Sequence, residues 1–217
     1  MFLSSLFAAD AFAEARERMV REQIERRGIR NPAVLRAMRA TPRHEFIPRN
    51  AGPAYGDHPL PIGFDATISQ PYIVALMTEL LQPEKTHRVL EVGAGSGYQA
   101  AVVSQLVSWV YTIELVPELA RVARENLSRL RYANITVRAG DGYVGWPERA
   151  PFDGILITAA PVEIPGALIA QLANGGRLVA PVGSSRLQEL VLVEKDANGR
   201  IRRSAHGGVT FVPMRRR

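Results

Sequence analysis

The chain has 217 residues, 47% hydrophobic and 22% charged, a balance ordinary for a folded globular domain and unlike a disordered or fibrous chain. Its 27 Lys and Arg against 21 Asp and Glu leave a net charge of +6, a mild preference for acidic partners. Cysteine is absent, which excludes disulfides, cysteine-ligated zinc and thiol catalysis; the four histidines stand singly, without metal-ligand spacing, so no metal is expected.

The opening "MFLSSLFAADAFA" is apolar but has no Lys or Arg ahead of its apolar part and contains Asp10. It reads as the start of a helix in a cytoplasmic chain, with export through this segment as the alternative. From about 10 to 28, Phe12, Met19, Val20 and Ile24 recur at helical spacing and Gly28 supplies a stop. A second short helix begins with Asn31 as cap and Pro32 in its first turn, and the Pro- and Gly-rich stretch 41–66 reads as a loop. In "TISQPYIVALMTELL", Pro71 suits a first helical position. Ser69 or Gln70 stands ready to cap, and Ile73, Leu76, Met77, Leu80 and Leu81 form the buried stripe.

From residue 87, short apolar runs alternate with helical stretches. "HRVLEV" leads to a helix after Gly97, "WVYTIE" to one from Pro117 to about Arg131, then come "NITVRAG" and "FDGILIT", a helix near Ile164 to Ala173, and "GRLVAPV". This alternation implies βαβ units: an α/β fold with a mostly parallel, doubly wound sheet covered on both faces. "QELVLVEKDANGRIRRSAH" reads as a hairpin about Asn198-Gly199, and "GGVTFVPM" as a last strand. Trp109 is expected in the core; for Trp146, core packing and stacking on a ligand weigh equally.

The chemistry concentrates in "VLEVGAGSGY". Gly93, Gly95 and Gly97 follow a strand and open a helix, where glycine permits a sharp turn and the helix start offers unpaired amides to a ligand. The Gly-x-Gly-x-Gly spacing, with Tyr98 next, departs from the Gly-x-Gly-x-x-Gly dinucleotide pattern and argues against a nicotinamide enzyme. Glu114 ends the next strand, where an acid can accept from ribose hydroxyls, and Asp141 follows the third, where a carboxylate can accept from an adenine amino group. The competing view of either is a surface acid near a helix start.

"LPIGFDATISQPYIVALMTELL", "VLEVGAGSGYQAA", "GDGYVGWPERAPFDGILITAAPVEIP" and "GGRLVAPVG" together resemble the protein-L-isoaspartate O-methyltransferase family, from about residue 15 to the closing "FVPM". The resemblance implies a Rossmann-like methyltransferase fold with N-terminal helices and a C-terminal β-hairpin extension. It implies S-adenosylmethionine as methyl donor, S-adenosylhomocysteine as its product, and isoaspartyl residues of damaged proteins and peptides as acceptors. Carried over by position, Glu91, Gly93, Gly95, Gly97, Glu114, Asp141 and Gly142 would hold the cofactor. Thr67, Ile68, Ser69 and Gln70 would hold the acceptor, with Ser69 catalytic. On this reading 1–85 is a helical and substrate-loop extension, 86–183 the cofactor-binding core and 184–217 a β extension, all in one domain acting as a monomer without nucleic acid or membrane. The net charge and basic C-terminal end keep an RNA or small-molecule methyltransferase as one alternative, although "TAAP" lacks the Asn/Asp-Pro-Pro-aromatic cluster used to stack a flipped base. A non-catalytic adenosine-binding module is the other.

Overall fold

The computed structural model describes residues 11–48, 53–184 and 187–216; the first ten residues, where the choice between helix start and leader falls, and Arg217 lie outside the described residues. Helix α1 (Ala13–Arg18) runs into a turn of π-helix, Met19–Ile24, and a 3-10 turn that ends on Gly28 in the left-handed region, φ 102°. The expected stop therefore acts through glycine's freedom there. Helix α2 (Pro32–Ala40) has the cap read from the sequence: the Asn31 side chain accepts from the Ala33 amide at 2.9 Å and from Val34 at 3.4 Å.

The stretch expected to be loop holds more order. A 3-10 turn, Arg43–Phe46, precedes a two-stranded antiparallel hairpin of β1 (Leu60–Gly63) and β2 (Ala66–Ile68). Phe64 and Asp65 form its tip with φ of 54° and 57°, so two side-chain-bearing residues occupy a conformation that costs them energy.

Helix α3 (Pro71–Leu81) corrects the capping expectation, because neither Ser69 nor Gln70 caps it with a side chain. The acceptor comes from a distant loop instead: Asp57 Oδ1 takes the Tyr72 amide at 3.2 Å, and Oδ2 takes the Gln70 side-chain amide at 2.7 Å. Helix ends need an acceptor from anywhere in space, and a carboxylate favours the positive end of the helix dipole.

The main sheet has the order β5-β4-β3-β6-β7-β8-β9, with β3 (Arg88–Val92), β4 (Trp109–Glu114), β5 (Ile135–Ala139), β6 (Phe152–Ile157) and the start of β7 (Leu172–Ser184) parallel. Strands β8 (Leu187–Lys195) and β9 (Ile201–Val209) complete it antiparallel, about a turn where Asp196 Oδ1 accepts from the Asn198 and Arg200 amides. Neighbouring strand residues enter opposite cores: Val89 and Val110 join the N-terminal helices, while Leu90 and Tyr111 join Phe152, Trp146 and Leu168. Burial on both faces explains why these strands read as unbroken apolar runs. Helices α4 (Tyr98–Ser104), α5 (Pro117–Arg129) and α6 (Gly166–Gln171) link the strands, α6 being shorter than expected because β7 begins at Leu172.

Two further expectations change. Among the described residues, those after Val209 form no strand beyond a single bridge, Ala160 to Pro213; Pro213 has no N–H for a ladder, and the Gln188 side chain engages Phe211 through both its backbone groups. Trp109 is 38% exposed at the start of β4, its indole N–H donating to Thr136 Oγ1 at 3.0 Å, whereas Trp146 is buried edge-on against Tyr111.

Candidate active site

In an open parallel sheet, ligands gather beyond the carboxyl ends of the strands where the order of connection reverses. Here the chain moves from β3 outward to β4 and β5 and then returns to the other side of β3 with β6. At that switch lies a cavity with about 990 Å³ of atom-free space, open to solvent on one side.

Its floor is the bend after β3. Gly93, Gly95 and Gly97 all have positive φ, 103°, 52° and 94°. At Gly93 a Cβ would stand 2.4 Å from Thr158 Oγ1, and at Gly142 it would stand 2.3 Å from Val92 Cγ1, so a side chain at either point would collide with the neighbouring strand's side chain. Thr158, at the end of β6, locks the bend by donating from its hydroxyl to the Gly93 carbonyl at 2.6 Å. Gly97 has a different task. It lies outside the cavity lining, and its missing Cβ makes room for Leu127 of α5.

Glu114 is 7% exposed and lines the cavity. Its two oxygens accept from the Gly95 amide at 2.8 Å and the Val116 amide at 3.1 Å, which fixes the carboxylate before any ligand arrives while leaving lone pairs for hydroxyl donors. Glu91 is fully enclosed. One oxygen accepts from the Thr112 hydroxyl, the other has no partner, and burial together with the nearby Glu114 pushes its pKa up from 4.5 to about 8. An enclosed carboxyl group with an unpaired oxygen beside a cavity suits a cationic or N–H-bearing group of a ligand.

Asp141 lies just outside the lining, with one oxygen accepting from the Tyr143 amide at 2.8 Å; Gly142 beside it lines the cavity. The loop carrying both is pinned by buried Gln171, which accepts from the Trp146 amide and donates to the Val144 carbonyl.

The opposite wall brings Thr67, Ile68 and Ser69 to the same cavity. The Ser69 hydroxyl makes no hydrogen bond among the described residues, since Asp57 has taken over the capping of α3. Gln70 is not part of this wall, because its side chain is drawn back to Asp57. Phe64 stands 55% exposed at the hairpin tip along the rim, and Val212, Pro213, Met214 and Arg215 close the far side. The latter segment is tied down by the Ala160 amide to Val212 O at 2.8 Å and the Met214 amide to Ala160 O at 2.7 Å.

Sequence reasoning had no signal for several of these parts. Arg43 is fully buried, and its guanidinium donates to the carbonyls of Ala54, His58 and Ser69. Tyr98 lines the cavity with its hydroxyl buried and unpartnered, and burial drives its pKa upward. Asp57, Thr158 and the 212–215 segment act only through contacts between distant residues.

The residues present fit an adenosyl-type cofactor: a bend that no Cβ may fill, a carboxylate held ready for hydroxyl donors, and a carboxyl oxygen left without a partner. The fit extends to relatives. The sequence profile of the family described as protein-L-isoaspartate(D-aspartate) O-methyltransferase matches residues 14–217. Among curated proteins, a protein-L-isoaspartate O-methyltransferase of Pelotomaculum thermopropionicum is 53% identical over 206 residues, covering 94% of this chain and 90% of the relative. One of the same name from Methanoregula boonei is 54% identical, covering 93% of each. A solved Plasmodium falciparum structure bearing the same family designation, with S-adenosyl-L-homocysteine bound, aligns with TM-score 0.80 at 26% identity over 93% of this chain and 99% of that one.

Proposed function

This chain belongs to the protein-L-isoaspartate(D-aspartate) O-methyltransferase family, and from that premise we propose that it methylates the free carboxylate of L-isoaspartyl residues in damaged proteins and peptides. The observation that carries the reading is the uncommitted Ser69 hydroxyl on the same cavity as the Gly93–Gly95 bend and Glu114.

S-adenosylmethionine, when bound, supplies an electrophilic methyl group on a sulfonium and leaves as S-adenosylhomocysteine. Glu114 would accept from the ribose hydroxyls, Gly93, Gly95 and Gly142 would admit the ligand against the backbone, and Glu91 would face its charged end. Asp141 and Gly142 would form the adenine side. The acceptor carboxylate has a reference pKa near ~4, so at neutral pH it is already ionised and no general base is required. What the protein must supply is alignment, and ordering two reactants can contribute roughly 7–11 kcal/mol. Thr67 and Ser69 suit that task as neutral hydroxyl donors, since a strong ion pair on the attacking oxygen would stabilise the ground state and blunt the nucleophile. Ile68 packs beneath them, 4% exposed. Esterification turns the poor oxide leaving group of the carboxylate into methoxide, so the following backbone nitrogen can attack the ester carbonyl and expel methanol, closing a succinimide whose hydrolysis returns some normal aspartate.

The proposal keeps the expectation of a cytoplasmic monomer that binds no nucleic acid; sedimentation and RNA titration test its parts. Among the described residues no helix is long and apolar enough to cross a membrane. The deciding experiment incubates the chain and labelled S-adenosylmethionine with an isoaspartyl peptide and its aspartyl twin. Label is expected on the first alone; binding of the cofactor with label on neither peptide would replace the enzyme with an adenosine-binding module.

A further inference from the structure

Arg43 occupies a place where a charge should be costly. It is 0% exposed, and a guanidinium keeps its proton at any physiological pH. Burying such a group without an anion is strongly unfavourable. Yet among the described residues no carboxylate lies within ion-pair distance of it. Asp57 acts on it only from farther off, its oxygens being engaged by Arg27, Gln70 and the Tyr72 amide. The guanidinium turns instead to three carbonyls, those of Ala54, His58 and Ser69, the last two at 3.1 Å, and its Nε has no partner. The charge is felt across the cavity wall at Tyr98, where it opposes the upward push of burial on the phenol.

The location of this unneutralised cation matters because the cavity lies between two walls, and the carboxylate on the other one, Glu114, repels an anion. An anionic acceptor entering between them gains from a fixed positive charge behind the segment that receives it. We infer that Arg43 is a positioning residue for the acceptor: its fork fixes the Ser69 backbone from behind, and its unpaired charge makes that wall prefer a carboxylate over an uncharged isostere. The inference rests on the proposed acceptor chemistry. It differs from a purely structural clamp in one respect, the dependence on charge.

The experiment compares dissociation constants of two peptides, one with the isoaspartyl carboxylate and one with the carboxamide in its place, both measured on the full chain loaded with S-adenosylhomocysteine. The unaltered chain is expected to prefer the carboxylate by about tenfold or more, a size typical of a hydrogen-bonded charge in a sheltered site. Arg43→Gln is expected to bring the ratio near one, while Arg43→Lys, which keeps the charge and loses the fork, keeps most of the ratio but turns over more slowly. A ratio unchanged in Arg43→Gln overturns the inference. A second measurement on the unaltered chain needs no variant to fold. Between about 0.05 and 0.5 M salt, a buried cation leaves the ratio within about twofold, whereas a preference due to the exposed rim residue Arg215 collapses, and that collapse also overturns the inference. A chain that neither binds nor methylates the isoaspartyl peptide sinks the functional reading, and this inference with it; methylation with an unaltered ratio in Arg43→Gln sinks only the role of Arg43.

Discussion

The two walls of the cavity are built by different means. On the cofactor side, the polar contacts are made by residues at or next to strand ends: Glu114 reaches Gly95 across 19 positions and Val116 across two, and Thr158 reaches Gly93 from the neighbouring strand. On the acceptor side, almost nothing is local. Arg43 reaches Ser69 across 26 positions, Tyr143 reaches Met214 across 71, and Asp57 gathers Arg27, Gln70 and Tyr72. A wall fixed by turn geometry tolerates loss of a side chain better than loss of a glycine. A wall fixed by long-range donors behaves the opposite way, and this contrast can be tested.

The largest effect is expected from Gly93→Ala. Its Cβ would meet Thr158 Oγ1 at 2.4 Å on a backbone of φ 103°, combining overpacking with left-handed strain of a few kcal/mol. Affinity for S-adenosylhomocysteine, read by calorimetry, should fall by ~100-fold or more; a value within threefold of the unaltered chain would mean the bend is not rigid.

Glu91 gives a pH signature on the same wall. Its folded pKa, about 8, lies above the ordinary 4.5, so between these values the folded chain holds a proton that the unfolded chain has released. Stability of the cofactor-free protein should therefore decline as pH rises through that window, by up to about 1 kcal/mol per unit. Denaturant unfolding across pH 4.5 to 8 reads this slope, and Glu91→Gln should flatten it. An equal slope in the variant would assign the effect to other groups.

On the acceptor wall, Asp57→Ala removes the α3 cap and the anchor of Gln70 together. A loss of about 1–3 kcal/mol in unfolding free energy is expected, with KM for the peptide raised about tenfold and cofactor affinity unchanged. A matching fall in cofactor affinity would show that the walls are one mechanical unit. Gly97→Ala should have the smallest effect on binding, since its Cβ would press on Leu127 of α5 and not on the cavity. Its cost should appear in stability, read from thermal unfolding, with the cofactor constant within about threefold; a larger loss would place Gly97 back among the binding residues.

The same contrast explains what the sequence disclosed. The alternation of strands and helices, the glycine bend and Glu114 follow from apolar runs and from spacings read along one βαβ unit, where Glu114 lies only 19 positions past Gly95. The Asn31 cap and the hairpin at Asn198-Gly199 were legible for the same reason. Arg43 and Asp57 fall in the Pro- and Gly-rich stretch read only as a loop, because no local pattern records a partner 15 to 30 positions away. The α3 start misled in the same way: Ser69 has the composition of a cap, and only the distant Asp57 frees its hydroxyl for the cavity. "GGVTFVPM" carried strand-forming residues, but Pro213 and the grip of Gln188 on Phe211 turned it into the cavity's far wall.

The central claim is that a neutral hydroxyl aligns an acceptor that is already anionic. It is tested most directly by Ser69→Ala, followed by single-turnover methyl transfer to an isoaspartyl peptide alongside the S-adenosylhomocysteine dissociation constant. Loss of one hydrogen bond to a charged group corresponds to about 1.5–3 kcal/mol, so transfer should slow by roughly 10- to 150-fold while the dissociation constant stays within about twofold. Unchanged transfer, or equal losses in transfer and cofactor affinity, would contradict it.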